Sequence, residues 1–265
     1  MRIFTTFPRD TLGNTMALFS LGDIHGKFPQ LIKVLKELPT GSTIIAVGDI
    51  GIGFPDSKTP DCLDAVDAVA RERTQKLWLM RGNHDNPVIW KNQDVRREWN
   101  SHLTNVRIPE DVYRMKVGNV HVIMVGGATS LDRSHPDRVE NRMWWTDEGV
   151  DTQAVQKVEE FVKFYGKADI LLTHAAALEA KPGPERDKIT FDHYSQVDPT
   201  LKDDAIGERK LLSEVVKVSQ AKTVAFGHYH VPLESNDGPI RYRCCAELEP
   251  WHYVKRNALP PLPSL

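Results

Sequence analysis

The chain has 265 residues, 40% of them hydrophobic and 26% charged, with a formal net charge of −2 at pH 7; this excludes disordered, fibrous and small disulfide-stapled classes and predicts one domain with a sizeable core. The near-neutral balance carries no overall basic field for bulk nucleic-acid binding. Three cysteines, Cys62 and the adjacent Cys244 and Cys245, form neither a disulfide framework nor a Cys-x-x-Cys metal site. No apolar run nears the roughly 18 to 20 residues of a membrane span, and the first ten lack the apolar stretch of a secretory signal, so a cytoplasmic protein is expected.

Residues 1–15 carry Pro8, Gly13 and Asn14 among short apolar pieces and read as an arm, a short edge strand or a loop. The core starts with Met16, Ala17, Leu18 and Phe19, a buried strand that ends in Leu21-Gly22-Asp23-Ile24-His25-Gly26. A strand that stops in Asp-x-His between glycines points two short ligands from its end toward one place. Phe28, Leu31, Ile32, Val34, Leu35 and Leu38 then recur at helical spacing until Pro39 and Gly41. A β-branched run at 43–47 ends in Gly48-Asp49, and a helix is predicted over 61–74 from Leu63, Val66, Val69 and Ala70. The next strand, 76–80, ends in Arg81-Gly82-Asn83-His84-Asp85. Repeated strand, polar turn and helix predict a layered α/β domain with its functional groups at the carboxyl ends of strands.

The rhythm then changes. Segments 106–108, 112–117 and 120–125 are short and β-rich, with Gly118-Asn119 marking a hairpin or meander, so a purely parallel sheet is excluded. Gly126-Gly127 opens an irregular stretch through Gly149 containing Trp144-Trp145, which either stack on a base, wall a pocket or pack the loop on the core. A helix at 152–165 is followed by a strand at 168–173 that ends in His174, and 175–207 reads as a second loop region over the site. A helix at 208–219, a strand at 223–226 leading into Gly227-His228-Tyr229-His230, a closing strand at 240–245 and a Pro-rich tail (Pro260, Pro261, Pro263) complete the chain. No internal repeat or domain linker is evident.

Five strand ends therefore offer Asp23 and His25, Asp49, Asn83 and His84, His174, and His228 and His230. Half of the ten histidines end apolar runs in this way; His102, His121, His135, His193 and His252 do not, with His135 singled out only by its place in the long loop. Ligands at this density predict a metal site. Mixed nitrogen and oxygen donors suit Mn²⁺, Fe, Zn²⁺ or Co²⁺ better than Mg²⁺ or Ca²⁺, and the absence of thiol ligands argues against structural zinc.

Asp-x-His, Gly-Asp, Gly-Asn-His-Asp, His and Gly-His-x-His occur in that order, and over about residues 16–245 the chain resembles the calcineurin-like metallophosphoesterase superfamily. The resemblance implies a four-layer αββα fold, a central β-sandwich flanked by helices. It also implies two divalent ions, Mn²⁺ first among the candidates: one held by Asp23, His25, Asp49 and His230, the other by Asp49, Asn83, His174 and His228, with Asp49 bridging. A metal-bridging hydroxide is then the nucleophile and His84 the general acid or electrostatic stabiliser.

The opening and third motifs look like the protein Ser/Thr phosphatase and diadenosine-tetraphosphatase branch. The second departs from it: where that branch carries Asp-Arg-Gly or a close variant, this chain has Asp49-Ile50-Gly51-Ile52-Gly53. The phosphate-binding arginine and the carboxylate that orients the histidine are both missing there, which weighs against a dedicated protein phosphatase. Asp56 is a candidate for the carboxylate. The long loop looks like one common in small bacterial and phage metallophosphoesterases, and its Arg133, Arg138 and Arg142 are candidates for the phosphate contact. The expected activity is hydrolysis of phosphate monoesters, with a phosphorylated small molecule, nucleotide or phosphoprotein as substrate. The alternatives are a phosphodiesterase on nucleotides or cyclic nucleotides and a non-catalytic scaffold on the same fold. Neither a membrane nor a long nucleic acid is expected as a partner.

Overall fold

Alternation along each strand decides which layer a side chain enters. In β2 (Thr43–Ala46), Ile44 and Ala46 face one apolar cluster while Ile45 faces another; in β6 (Val120–Val125), Ile123 and Val125 point to one side and Val122 and Met124 to the other. Strands apolar on both faces need cover on both. The computed structural model, which describes residues 17–53, 59–183 and 188–254, supplies it. The expected arm at 1–15, Met16, Asp56 and the Pro-rich tail lie outside those residues.

Among the described residues, one sheet has five strands in the order β11 (Pro250–Tyr253), β1 (Leu18–Leu21), β2, β3 (Lys76–Leu79) and β4 (Val106–Arg107), parallel except for β11. The other has six in the order β5 (Val112–Val117), β6, β7 (Ile170–Thr173), β8 (Thr223–Phe226), β10 (Ile240–Cys244) and β9 (Leu233–Asp237), with antiparallel strands only at its edges. Leu18, Ile45, Val47 and Met80 meet Val122, Met124, Ile170, Leu172 and Ala225 between the sheets.

Helix α1 (Phe28–Glu37) brings Leu31 and Leu35, α2 (Thr59–Glu72) brings Leu63, Val66 and Ala70, and α3 (Pro87–Lys91) brings Trp90 to the outer face of the first sheet. Helices α5 (Ala154–Tyr165) and α7 (Leu201–Ser219) cover the second through Val158, Leu212 and Val215. Each fully buried Leu, Ile or Val contributes about 1.5–3 kcal/mol. The layers thus run helix, sheet, sheet, helix, the predicted β-sandwich flanked by helices. No helix of the described residues is long and apolar enough to cross a membrane.

The expected loop at 175–207 is corrected: it contains α6 (Lys188–Val197) and the first turns of α7. Helix α6 has no buried residue and so shows no apolar stripe, and the charged run Lys202, Asp203, Asp204 masks Leu201 and Ala205, which are buried one turn apart. Helices α3 and α4 (Gln93–Ser101) are too short for a clear period; Asn86 and Asn92 cap them, accepting from Val88 N at 3.1 Å and Asp94 N at 3.0 Å. Strand β10 does not close the fold. The chain continues to β11, which pairs with β1.

Candidate active site

The turns that follow β1, β2, β3, β7 and β8 meet at one end of the sandwich, so the first sheet supplies Asp23, His25, Asp49, Asn83 and His84, and the second His174, His228 and His230. Glycines let them pack. A Cβ at Gly82 would stand 2.1 Å from Asp49 Oδ1, and one at Gly227 2.1 Å from Asp23 Oδ1. His25 (φ 48°), Asp49 (48°), His228 (66°) and His230 (53°) all take the left-handed backbone region, strain of about 1–3 kcal/mol each that concentrates at functional sites.

The donors form two groups, Asp23, His25, Asp49 and His230, and Asp49, His174 and His228; within each, the donor atoms lie within 4.8 Å of one another. Asp23 Oδ2 is 2.8 Å from His230 Nε2, and His25 Nε2 is 2.9 Å from His230 Nε2. Asp49 belongs to both groups, Oδ2 lying 3.7 Å from His25 Nε2 and Oδ1 3.1 Å from His174 Nε2. Asn83 Oδ1 joins the second, 3.0 Å from His174 Nε2 and 2.9 Å from His228 Nδ1. Imidazole nitrogens that converge on one another and on carboxylates, with no thiol among them, fit a divalent cation.

Burial opposes charge on Asp23, Asp49, His174 and His228, and it is overcome by charged partners at the first three. Burial would raise Asp23, but His230 and His25 hold it down at about 2. Asp49 is likewise held well below the carboxylate range by His174 and His84. Burial would lower His174, yet Asp49 and Asp23 push it up to about 9, while burial and the neighbouring His174 push His228 down to about 3.

His84 donates its backbone N–H to Asp49 Oδ1 at 2.8 Å, and its Nδ1 lies 3.1 Å from Arg138 Nη1. Burial lowers its pKa, and Arg138 lowers it further against the pull of Asp49. Of the arginine candidates, only Arg138 is seen to reach His84. Arg133 is spent elsewhere: Nε and Nη2 donate to Asp198 at 2.6 and 3.2 Å, and Nη2 also to Asp204 at 2.6 Å. Arg142 is exposed on the loop, and Trp145 is buried in it.

Several supporting residues were not legible as such. Asp85 accepts from Ile50 N, Gly51 N, Ile52 N and Gly82 N at 2.8–3.2 Å, tying the turn after β2 to the turn after β3, and burial pushes it up to about 6. Buried Arg81 forks onto Asp111 with two bonds of 2.8 Å and reaches Glu148 O and Gly149 O. Glu208 accepts from Thr129 N and Val150 N, both at 3.0 Å, so the long loop is closed at its neck. The one available signal was Asp85, inside the third motif.

Over the donors opens a cavity of about 240 Å³, walled by Leu131, Asp132, Gly183, Thr190 and Tyr229. A larger one, about 730 Å³, lies beside α3 and α5, but Lys91, Arg96 and Lys157 there are paired with Asp147, Glu110 and Asp151 at 3.0, 3.0 and 2.6 Å. The donor groups lie at the smaller cavity, which makes it the candidate site.

The calcineurin-like phosphoesterase family model matches residues 16–232. No curated protein matches the sequence. Among solved structures, the fold is similar to a phosphopantetheinyl hydrolase of Mycobacterium tuberculosis (TM-score 0.52, 15% identity, 92% of this chain and 98% of that one). It is also similar to TT1561 of Thermus thermophilus (TM-score 0.51, 11% identity, 88% of this chain and 90% of that one). With the family model spanning most of the chain and every donor turn, the chain belongs to the calcineurin-like phosphoesterase family of metal-dependent hydrolases.

Proposed function

We propose that the chain is a binuclear metal-dependent phosphoesterase acting on phosphate monoesters. Asp49 carries this reading, because its two carboxylate oxygens face different donor groups, at 3.7 Å from His25 Nε2 and 3.1 Å from His174 Nε2. Asp23, His25, Asp49 and His230 then hold one divalent ion, and Asp49, Asn83, His174 and His228 the other. Imidazole combined with carboxylate and amide oxygen suits Mn²⁺, with Fe, Zn²⁺ and Co²⁺ as competitors. Such ions supply Lewis acidity to phosphoryl oxygens and lower the pKa of a water nucleophile.

The chain's own residues orient the donors and neutralise charge. His174 Nδ1–H donates to Val47 O at 2.7 Å, which leaves the Nε2 lone pair for the centre. His84 Nδ1 accepts from Arg138, so the ring is neutral with its proton on Nε2, placed to donate a hydrogen bond that stabilises charge on a leaving oxygen. The guanidinium takes the place of the absent orienting carboxylate with the opposite charge. A monoester dianion carries one more negative charge than a diester, so a cation beside His84 favours the monoester. The substrate is then a phosphorylated small molecule, nucleotide or phosphoprotein.

The test is hydrolysis of an aryl phosphate monoester and the matching diester, side by side, by Mn²⁺-loaded protein with Asp49→Asn as control. Faster monoester turnover, lost in the control, is expected. Preference for the diester would replace this reading with nucleotide phosphodiesters, and no turnover of either with two ions bound would leave a scaffold.

A further inference from the structure

The hydroxyl of Ser130 stands where the polar supports of the centre meet. We propose that Ser130, locked by Glu148, is a positioning residue that holds the Asn83 carboxamide with its oxygen toward the second donor group; this rests on the reading of Asn83 as a ligand. A hydroxyl has one hydrogen and two lone pairs. Glu148 Oε2 takes the hydrogen at 2.9 Å, while Oε1 accepts the Ser130 N–H at 2.6 Å. Only lone pairs remain for the other neighbours. Both are donors: Asn83 Nδ2 at 3.0 Å and Arg138 Nη2 at 2.8 Å.

The amide therefore has one orientation that both satisfies Ser130 and offers a lone pair to the centre. Nδ2 faces Ser130, and Oδ1 faces His174 Nε2 at 3.0 Å and His228 Nδ1 at 2.9 Å. Turned over, it would present an N–H₂ group, which has no lone pair to give, to the centre and set its oxygen against the Ser130 lone pairs. Ser130 is fully buried, and Asn83 and Glu148 are 2% and 3% exposed, so bulk water has little access to stand in. The same oxygen seats Arg138, whose other nitrogen rests on His84. One loop hydroxyl thus sets a donor of the centre and the partner of the proton donor together.

Calorimetric titration with Mn²⁺, backed by elemental analysis, tests this apart from activity. In Ser130→Ala and in Glu148→Gln, one of two ions is expected to bind about 10- to 100-fold more weakly while the other keeps its affinity, which also reports an intact fold. In an Asn83→Ala background, adding Ser130→Ala is expected to change nothing further, because the effect runs through Asn83. Unchanged binding of both ions, equal weakening of both, or a full additive loss in the double variant overturns the proposal. If the unaltered protein binds fewer than two ions, the binuclear reading itself falls, and the proposal with it.

Discussion

The turns at the strand ends and the segments that lie over them are built differently. Asp23, Asp49, Asn83 and His174 sit in short turns, at most 2% exposed, directly continuous with core strands. The long loop at 126–150 and helix α6 have little core of their own and are held by polar bonds between residues far apart in sequence, Arg133 to Asp198 and Thr129 to Glu208 among them. The strand ends carry the donors, and the overlying segments wall the cavity above them. Substitutions in the two regions should therefore fail in different ways.

The largest effect is expected at Asp49. Asp49→Asn leaves a neutral amide where one carboxylate serves both donor groups, and kcat/KM with Mn²⁺ is expected to fall at least about 1,000-fold while the circular dichroism spectrum is kept. His84→Asn comes next. Loss of a hydrogen-bond donor to the leaving oxygen is expected to cost about 10²- to 10³-fold in kcat, with metal content by elemental analysis unchanged; loss of the ions would show that His84 supports the turn rather than the reaction.

Arg138→Ala crosses the two regions, a loop residue reaching the reactive histidine. Removing a charge-assisted contact worth about 1.5–3 kcal/mol predicts a tenfold to hundredfold drop in monoester kcat/KM, with a smaller loss on the diester. Arg133→Ala belongs to the overlying region alone. Its ion pairs are partly solvated, so the change is expected to cost less than about 1 kcal/mol in urea unfolding and to leave kcat within twofold. Arg133 holds Asp198 down at about 2, below the ordinary value of 3.8, so the clamp stabilises at neutral pH and is lost as pH falls from about 4 through about 2. A stability difference between wild type and Arg133→Ala that persists at pH 2 would break this assignment.

Legibility followed the same division. The donors could be read because each ends a short, nearly continuous apolar run, a pattern that needs only neighbours in sequence. Arg133 and Arg138 could not be told apart, since what separates them is Asp198 and Asp204 on one side and His84 on the other, 54 to 71 residues away. Ser130 carried no pattern at all; its role exists only once Glu148 and Asn83 are folded against it. Helix α6 was missed because it buries nothing, whereas α3 and α4 left only the asparagines at their starts as a trace.

The reactive centre also has a mechanical meaning. Its residues come from both halves of the sandwich, and their bonds cross the seam: His174 Nδ1–H to Val47 O at 2.7 Å, and His228 N–H to Asp23 at 3.1 Å. At that end the sheets are latched by directional bonds, where greasy contact alone would let one slide over the other. Asp49 is bonded to the turn after β3 through the His84 N–H at 2.8 Å and lies 3.1 Å from His174 of the far sheet, so the floor of the pocket is braced across both sheets.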